Sequence, residues 1–325
     1  MSQPTLRKQL TTQTTPDDLI RLIEDIASAC RRIGDEVRHG AFAGILGAAD
    51  SKNVQGETQK ELDVISDEIF ADMVSSGVAA LVSEEVETVN WLVDAPNAGQ
   101  FIVYYDPLDG SSNLDVNLSV GTIFSIVRLT TDVARDDTTT RIPGTEQIAA
   151  GYAIYGPSTQ LVVTVGQGVQ AYTHHPGSGE FLLTTPQMRI PEQTSEFAIN
   201  ASRYDMWEPP VRAYIDDCLR GADGPRGRKF NMRWCASMVA DVHRILTRGG
   251  VFLYPKDSGN AEQGGKLRLM YEANPMGLLV EAAGGAASTG AGRILEVAPT
   301  GHHQRVAVIL GSRDEVALID DYHSR

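Results

Sequence analysis

Between Leu19 and Val37 apolar residues return at every third or fourth position: Leu19, Ile23, Ile26, Cys30, Ile33 and Val37. That period places them on one stripe of an α-helix. Thr15-Pro16-Asp17-Asp18 supplies its start, with a capping hydroxyl, a proline at the first helical position and acids on the positive helix end, and Gly40 after His39 supplies its stop. Residues 1–15 carry no pattern and are expected to be mobile. A polar loop from Asn53 to Asp63 is expected to pass into a second helix with Leu62, Ile65, Ile69, Phe70 and Met73 inward.

The pattern then changes period. Ala79–Ser83 and Phe101–Tyr105 are short apolar runs that read as strands, and Tyr152–Tyr172 breaks into consecutive strands at Gly-Pro-Ser and Gly-Gln-Gly. Thr130–Glu146 reads as a surface loop. Farther on, Phe197–Ile199, Val251–Tyr254 and Arg305–Leu310 predict strands, while Pro209–Leu219, Ala236–Leu246, Leu267–Ala283 and Arg313–Tyr322 predict helices. This alternation specifies an α/β protein of two packed lobes. The polar stretch Thr184–Ser195, with two prolines, marks the boundary and divides the chain into 1–190 and 191–325.

Composition narrows the function. The 325 residues carry 28 Lys+Arg against 42 Asp+Glu, a formal charge of −14, which disfavours nucleic acid and anionic membranes as partners. A phosphate ligand in that field needs local cations. Cys30, Cys218 and Cys235 lie far apart, without metal-site spacing, and read as buried thiols in a reducing compartment. No apolar run approaches a membrane span and the first fifteen residues do not resemble a secretion signal, so a cytoplasmic protein is expected.

The chemistry concentrates after the strand FIVYY. Proline has no N–H for strand pairing, so the strand is expected to stop at Asp106-Pro107 and to project Asp106 into the crevice at the strand ends. Asp106 and Asp109 lie three residues apart across a Pro-Leu-Asp-Gly turn, which can gather two carboxylates and the Leu108 carbonyl around one point. Hard divalent cations take such oxygens. Gly110, Ser111, Ser112 and Asn113 follow, with N–H groups and hydroxyls able to wrap a phosphate oxygen. The same letters are also common turn punctuation; their place at the end of an apolar strand favours chemistry. Glu84-Glu85 after the other strand reads as surface charge, unless the two strands are neighbours, when the crowded acids require cations. Read alone, Glu57 and Asp63 are a solvated helix start, Glu272 a surface acid, and Arg233 and Lys266 solvated charges.

DPLDGSSN resembles the signature of the magnesium-dependent, lithium-sensitive phosphatases, and DPLDGSSNLDVNLSVGTIFSI is similar to class I fructose-1,6-bisphosphatases in particular. NVQGETQKELDV, Ser83-Glu84-Glu85, NMRWCASMVADVHRIL, FLYP and KLRLMYEANPMG carry the resemblance from Asn53 to the C-terminus. It implies a layered α/β sandwich with mixed sheets and a homotetramer. It also implies hydrolysis of the 1-phosphate of fructose 1,6-bisphosphate with Mg²⁺ or Mn²⁺; no histidine or cysteine falls on a matched ligand position, against zinc. The matched ligands are Asp106, Asp109 and Glu272 for one metal, Glu84, Asp106 and the Leu108 carbonyl for a second, and Glu57 with Glu84 for a third. Asp63 and Glu85 match the pair that activates water. Asp109, Gly110, Ser111 and Ser112 match the cradle of the scissile phosphate, and Asn200, Tyr254 and Lys266 the distal-phosphate contacts, with Arg233 reaching in from a neighbouring subunit.

Three departures qualify the match. Glu57 stands where an aspartate is familiar and Trp234 where a tyrosine is usual. In members inhibited by AMP, a Gly- and Thr-rich turn and a Lys-Tyr pair hold the nucleotide; here Thr11–Pro16 and Gln100-Phe101 replace them, which predicts weak or absent inhibition. The absence of cysteine from Thr130–Glu146 excludes the thiol regulation of chloroplast members. A sedoheptulose-1,7-bisphosphatase, or an enzyme for both sugars, is the alternative inside the family; inositol monophosphatase fits less, since the match extends beyond the shared metal motif. A catalytically silent sugar-phosphate sensor is the alternative outside it, disfavoured by the intact acidic set.

Overall fold

The structure is a computed structural model and describes residues 3–45, 48–52, 58–92, 99–129 and 136–325. The chain opens with α1 (Leu6–Thr12) and α2 (Asp17–Ala43), then a ribbon of β1 (Ala48–Lys52) and β2 (Thr58–Lys60), then α3 (Glu61–Met73). The first of these corrects the sequence reading of residues 1–15. Thr5 caps α1 by accepting from the Lys8 N–H, and Leu6 and Leu10 are buried in the same core as α2. Two apolar residues four apart are too few to register as a period. The second helix also outruns its expected stop, continuing through Gly40 to a left-handed Gly44 with φ 77°. An interior glycine costs about 1 kcal/mol, and burial of Ile20, Leu22, Ile23, Ile26 and Ile33 outweighs it.

Eight strands follow: β3 (Val78–Ser83), β4 (Asn90–Trp91), β5 (Phe101–Asp109), β6 (Val120–Arg128), β7 (Gln147–Tyr155), β8 (Thr159–Thr164), β9 (Val169–His175) and β10 (Glu180–Met188). They form one sheet in the order β10-β9-β8-β7-β6-β5-β3-β4. Its one parallel pair is β3 with β5, which makes the two acid-bearing strands neighbours with their C-terminal ends at the same edge. The boundary stretch Thr184–Ser195 is edge strand as far as Met188, where Pro186 costs no interior ladder bond.

The second half contributes β11 (Glu196–Ala198), α4 (Pro209–Leu219), β12 (Asn231–Met232), α5 (Met238–Arg248) and β13 (Val251–Tyr254). It ends with β14 (Leu267–Arg268), α6 (Asn274–Ala282), β15 (Ala286–Ser288), β16 (Arg305–Val306), β17 (Val308–Gly311) and α7 (Arg313–His323). The order β12-β11-β13-β17-β15 gives a second mixed sheet. Alternate residues of each strand serve different cores. Phe101, Val103 and Tyr105 pack with α1, α2 and α3, whereas Ile102 and Tyr104 pack with α5, α6 and the inner face of the second sheet. The outer face of that sheet, with Phe197, Val251 and Leu253, packs on α4 and α7. The protein is a five-layer α/β/α/β/α sandwich, and its middle layer joins the halves.

Two local irregularities shape the site. Strand β5 does not stop at Asp106-Pro107: it pairs Asp106 with Ile123 and Asp109 with Gly121, so one extra residue is accommodated as a bulge. In an unbroken strand, side chains three apart point to opposite faces; the bulge turns Asp106 and Asp109 to the same side. Farther on, Leu267–Ala283 is not one helix. It starts as strand β14, passes through a π-helical turn at Leu269–Ala273, and only then becomes α6. The wider turn carries Glu272 inward. Among the cysteines, Cys30 and Cys218 are buried as expected, but Cys235 is exposed, because the chain swings outward before Ala236 (φ 57°) to start α5.

Candidate active site

The C-terminal ends of β3 and β5 open into a cleft of about 420 Å³. The residues matched to the family site line it, except Glu57 and Arg233: Asp63, Glu84, Glu85, Asp106, Leu108, Asp109, Gly110, Ser111, Ser112, Asn200, Tyr254, Lys266 and Glu272. Glu57 lies outside the described residues. Arg233 is exposed, does not line the cleft and faces Glu196 at 3.8 Å.

Asp106, Asp109 and Glu272 form the floor, with one oxygen of each within 4.8 Å of the others, and all are buried. Each is held by the fold. The Leu108 N–H donates to Asp106 Oδ1 (3.0 Å), and Arg268 N–H donates to Glu272 Oε2 (2.6 Å). Asp109 Oδ2 accepts from Ser237 Oγ (2.8 Å) and Val239 N–H (2.9 Å) at the positive end of α5, tying the first sheet to the second half. Gly110 makes that approach possible: it has φ 76°, and a Cβ there would meet Ser237 Cβ at 2.7 Å.

Glu84 makes a fourth buried acid beside these three, and the buried guanidinium of Arg268 pairs with Glu84 and lies 3.9 Å from Glu272. This residue was not legible as functional: an arginine four before Glu272 looks like a solvent-facing helical pair, and the π turn is what buries both. The like charges are therefore undercompensated. Burial, then the Glu84 and Asp109 charges, push Asp106 well above the ordinary carboxylate range. Burial likewise raises Asp109 and moves Glu272 from 4.5 to about 7, against the pull of Arg268. Asp63, at the start of α3, accepts the Lys60 N–H through Oδ2 (2.7 Å), while Oδ1 is buried with no hydrogen bond; burial raises it from 3.8 to about 6. Oxygen donors alone, an orphaned carboxylate oxygen and uncompensated negative charge fit divalent cations of the Mg²⁺ and Mn²⁺ type.

The sign of these shifts gives a prediction. The folded metal-free protein holds protons on Glu272 and Asp63 more tightly than the unfolded chain does, so that contribution to stability is lost as pH rises through about 6 to 7. Metal binding near pH 6.5 should then release protons, which titration calorimetry in buffers of different ionisation enthalpy will show as buffer-dependent heats; buffer-independent heats would contradict the assignment.

Just after Asp109, Ser111 and Ser112 begin a single 3₁₀ turn behind Gly110, and Asn113 anchors it by donating to the Cys235 carbonyl (3.0 Å). Trp234 lies nearly parallel to Phe252 at 5.8 Å and against Tyr254, and these rings line the cleft with Asn200 and Lys266. Acids, a serine turn and a lysine thus line one cleft.

Such a cleft at the strand ends of a layered α/β sandwich defines a phosphatase of the metal-dependent class. The comparisons are specific. Residues 1–186 match the family described as fructose-1-6-bisphosphatase, N-terminal domain, and residues 190–324 its C-terminal domain. The crystal structure of Leishmania major fructose-1,6-bisphosphatase in holo form is 39% identical, covers 100% of both chains and superposes with a TM-score of 0.94. The apo form of that protein (37%) gives 0.88 and its T-state (38%) 0.89, again over 100% of both chains. The chain belongs to the fructose-1,6-bisphosphatase family, and it hydrolyses fructose 1,6-bisphosphate.

Proposed function

We propose that the enzyme removes the 1-phosphate, releasing fructose 6-phosphate and inorganic phosphate, as a cytoplasmic enzyme of gluconeogenesis. The observation that carries this is the convergence of the acidic floor, the serine turn and the distal lysine in one cleft. Ser111, Ser112 and the neighbouring N–H groups orient the scissile phosphate. Asn200, Tyr254 and Lys266 hold the 6-phosphate, and Arg233, which does not line its own cleft, serves a neighbouring protomer in a homotetramer. Asp63 and Glu85 orient the attacking water and accept its proton, for which an acid near pH 6 is suited. Asp106, Asp109, Glu272, Glu84 and the Leu108 carbonyl would hold Mg²⁺ or Mn²⁺, with Glu57 completing the set. When bound, the cations would neutralise charge at the phosphoryl oxygens and lower the pKa of water. Residues 1–190 thereby carry most of the metal and scissile-phosphate site, and 191–325 add Glu272 and the sugar-phosphate contacts. Coupled detection of fructose 6-phosphate tests this: its appearance in step with phosphate, and its suppression by EDTA, is the expected result, whereas fructose 1-phosphate as product would overturn the orientation.

Inhibition by AMP is expected to be weak or absent. Where the familiar nucleotide site would lie, Arg128 is engaged by the protein: it bonds Gln100, pairs with Asp18 at 3.3 Å and lies 4.7 Å over the Phe101 ring. Inhibition by submillimolar AMP in a steady-state assay would contradict this.

A further inference from the structure

Behind the cleft, one carboxylate joins three of the elements that carry the acids. Asp67 lies on α3 one turn beyond Asp63, facing the ends of β3 and β5. It accepts from Ser83 Oγ, and Tyr105 lines the same cavity beside it. Ser83 immediately precedes Glu84-Glu85, Tyr105 immediately precedes Asp106, and the two are cross-strand partners. The Ser83 oxygen in turn accepts the Glu85 N–H (3.2 Å), and the Glu84 N–H donates to the Tyr105 carbonyl (3.0 Å). Hydrogen-bond polarity is consistent along the chain: Glu85 N–H to Ser83 oxygen, Ser83 O–H to Asp67. The Tyr105 ring is fixed as well, stacked on Phe70 of α3 at 4.1 Å and 14°.

We propose that Asp67 is a positioning residue: through Ser83, the cross-strand partner of Tyr105, it sets α3, β3 and β5 in the register that brings Asp63, Glu85 and Asp106 to one point. It touches neither substrate nor metal. The argument rests on the function proposed above for the acids, and on a physical asymmetry. A carboxylate only accepts, so Asp67 takes the Ser83 hydroxyl as donor; a neutral apolar side chain there leaves that buried hydroxyl without its acceptor, and strand ends with nothing beyond them are free to shift. Misplacement by about 1 Å costs about 10²-fold in rate.

The test is a set of variants read for kcat, KM, Mn²⁺ affinity and Tm. Asp67→Ala and Ser83→Ala are expected to lower kcat by about 10–100-fold and to weaken Mn²⁺ binding, followed by electron paramagnetic resonance, by about 10-fold, with KM for fructose 1,6-bisphosphate little changed. Ser83→Thr keeps the hydroxyl, and Ser83 borders a cavity of about 350 Å³ with room for the added methyl, so it should restore most of kcat and affinity. Wild-type kcat and Mn²⁺ affinity in Ser83→Ala would overturn the proposal. So would equal losses in Ser83→Thr and Ser83→Ala, which signal disturbed packing and not a lost hydrogen bond. If Asp67→Ala does not fold, the serine pair decides alone. If the wild type itself releases no phosphate, the proposed function fails, and the Mn²⁺ affinities still decide the positioning role.

Discussion

The Asp109→Ala protein is expected to fold and yet to release phosphate from fructose 1,6-bisphosphate about 10³-fold more slowly or worse. Asp109 contributes an oxygen to the buried triad with Asp106 and Glu272, and it borders the serine turn proposed to receive the phosphate. Alanine removes that oxygen, for which no neighbouring acid can substitute without leaving its own anchor. Stability responds differently. The substitution gives up the bonds from Ser237 and Val239, about 1–2 kcal/mol apiece in such a setting, but it also removes one of the buried like charges that raise the pKa of Asp106 and Glu272. The terms oppose each other, so the metal-free Tm should move by only a few degrees. A folded Asp109→Ala protein with wild-type turnover would refute the metal assignment.

Arg268→Leu should show the reverse pattern, a large loss of stability that cations partly repair. The guanidinium is buried between Glu84 and Glu272. Removing one partner of a buried pair costs about 3–5 kcal/mol, because the remaining charges stay buried without compensation. At about 2–4 °C per kcal/mol, the metal-free variant should melt roughly 10 °C below the wild type at neutral pH. Lower pH should narrow the gap as the acids take up protons, and so should saturating Mg²⁺, which supplies positive charge to the same oxygens. A Tm indifferent to both would mean that Arg268 does not balance this cluster.

How much of this was written locally in the chain depends on where each feature gets its energy. Helix α4 at Pro209–Leu219 and strand β13 at Val251–Tyr254 fall on the expected residues, because their periods and end signals are their own. The gathering of Asp106 and Asp109 was legible from spacing, but its means was not. A bulge is a property of the pairing between β5 and β6, and Pro107 on its own reads as a stop. Likewise the π turn at Leu269–Ala273 follows from having to bury Glu272 and Arg268 together, a demand made by Glu84 more than 180 residues earlier. Helix α1 is fixed by the surface of α2 and not by its own short pattern. Glu272 reads alone as an ordinary surface acid, and only the likeness of KLRLMYEANPMG to a known family singled it out. Arg268 and Asp67, which balance and position the acids, carry no motif: each matters through partners distant in sequence.

The central claim is a metal-dependent fructose-1,6-bisphosphatase built on the acidic cleft. The most direct measurement is phosphate release from fructose 1,6-bisphosphate, sedoheptulose 1,7-bisphosphate and inositol 1-phosphate, each with Mg²⁺ and with EDTA. The account predicts rapid release from fructose 1,6-bisphosphate that EDTA abolishes, and none from inositol 1-phosphate. Comparable release from the seven-carbon sugar would widen the substrate range to both bisphosphates. Release that persists undiminished in EDTA, or none from fructose 1,6-bisphosphate with Mg²⁺, would contradict it.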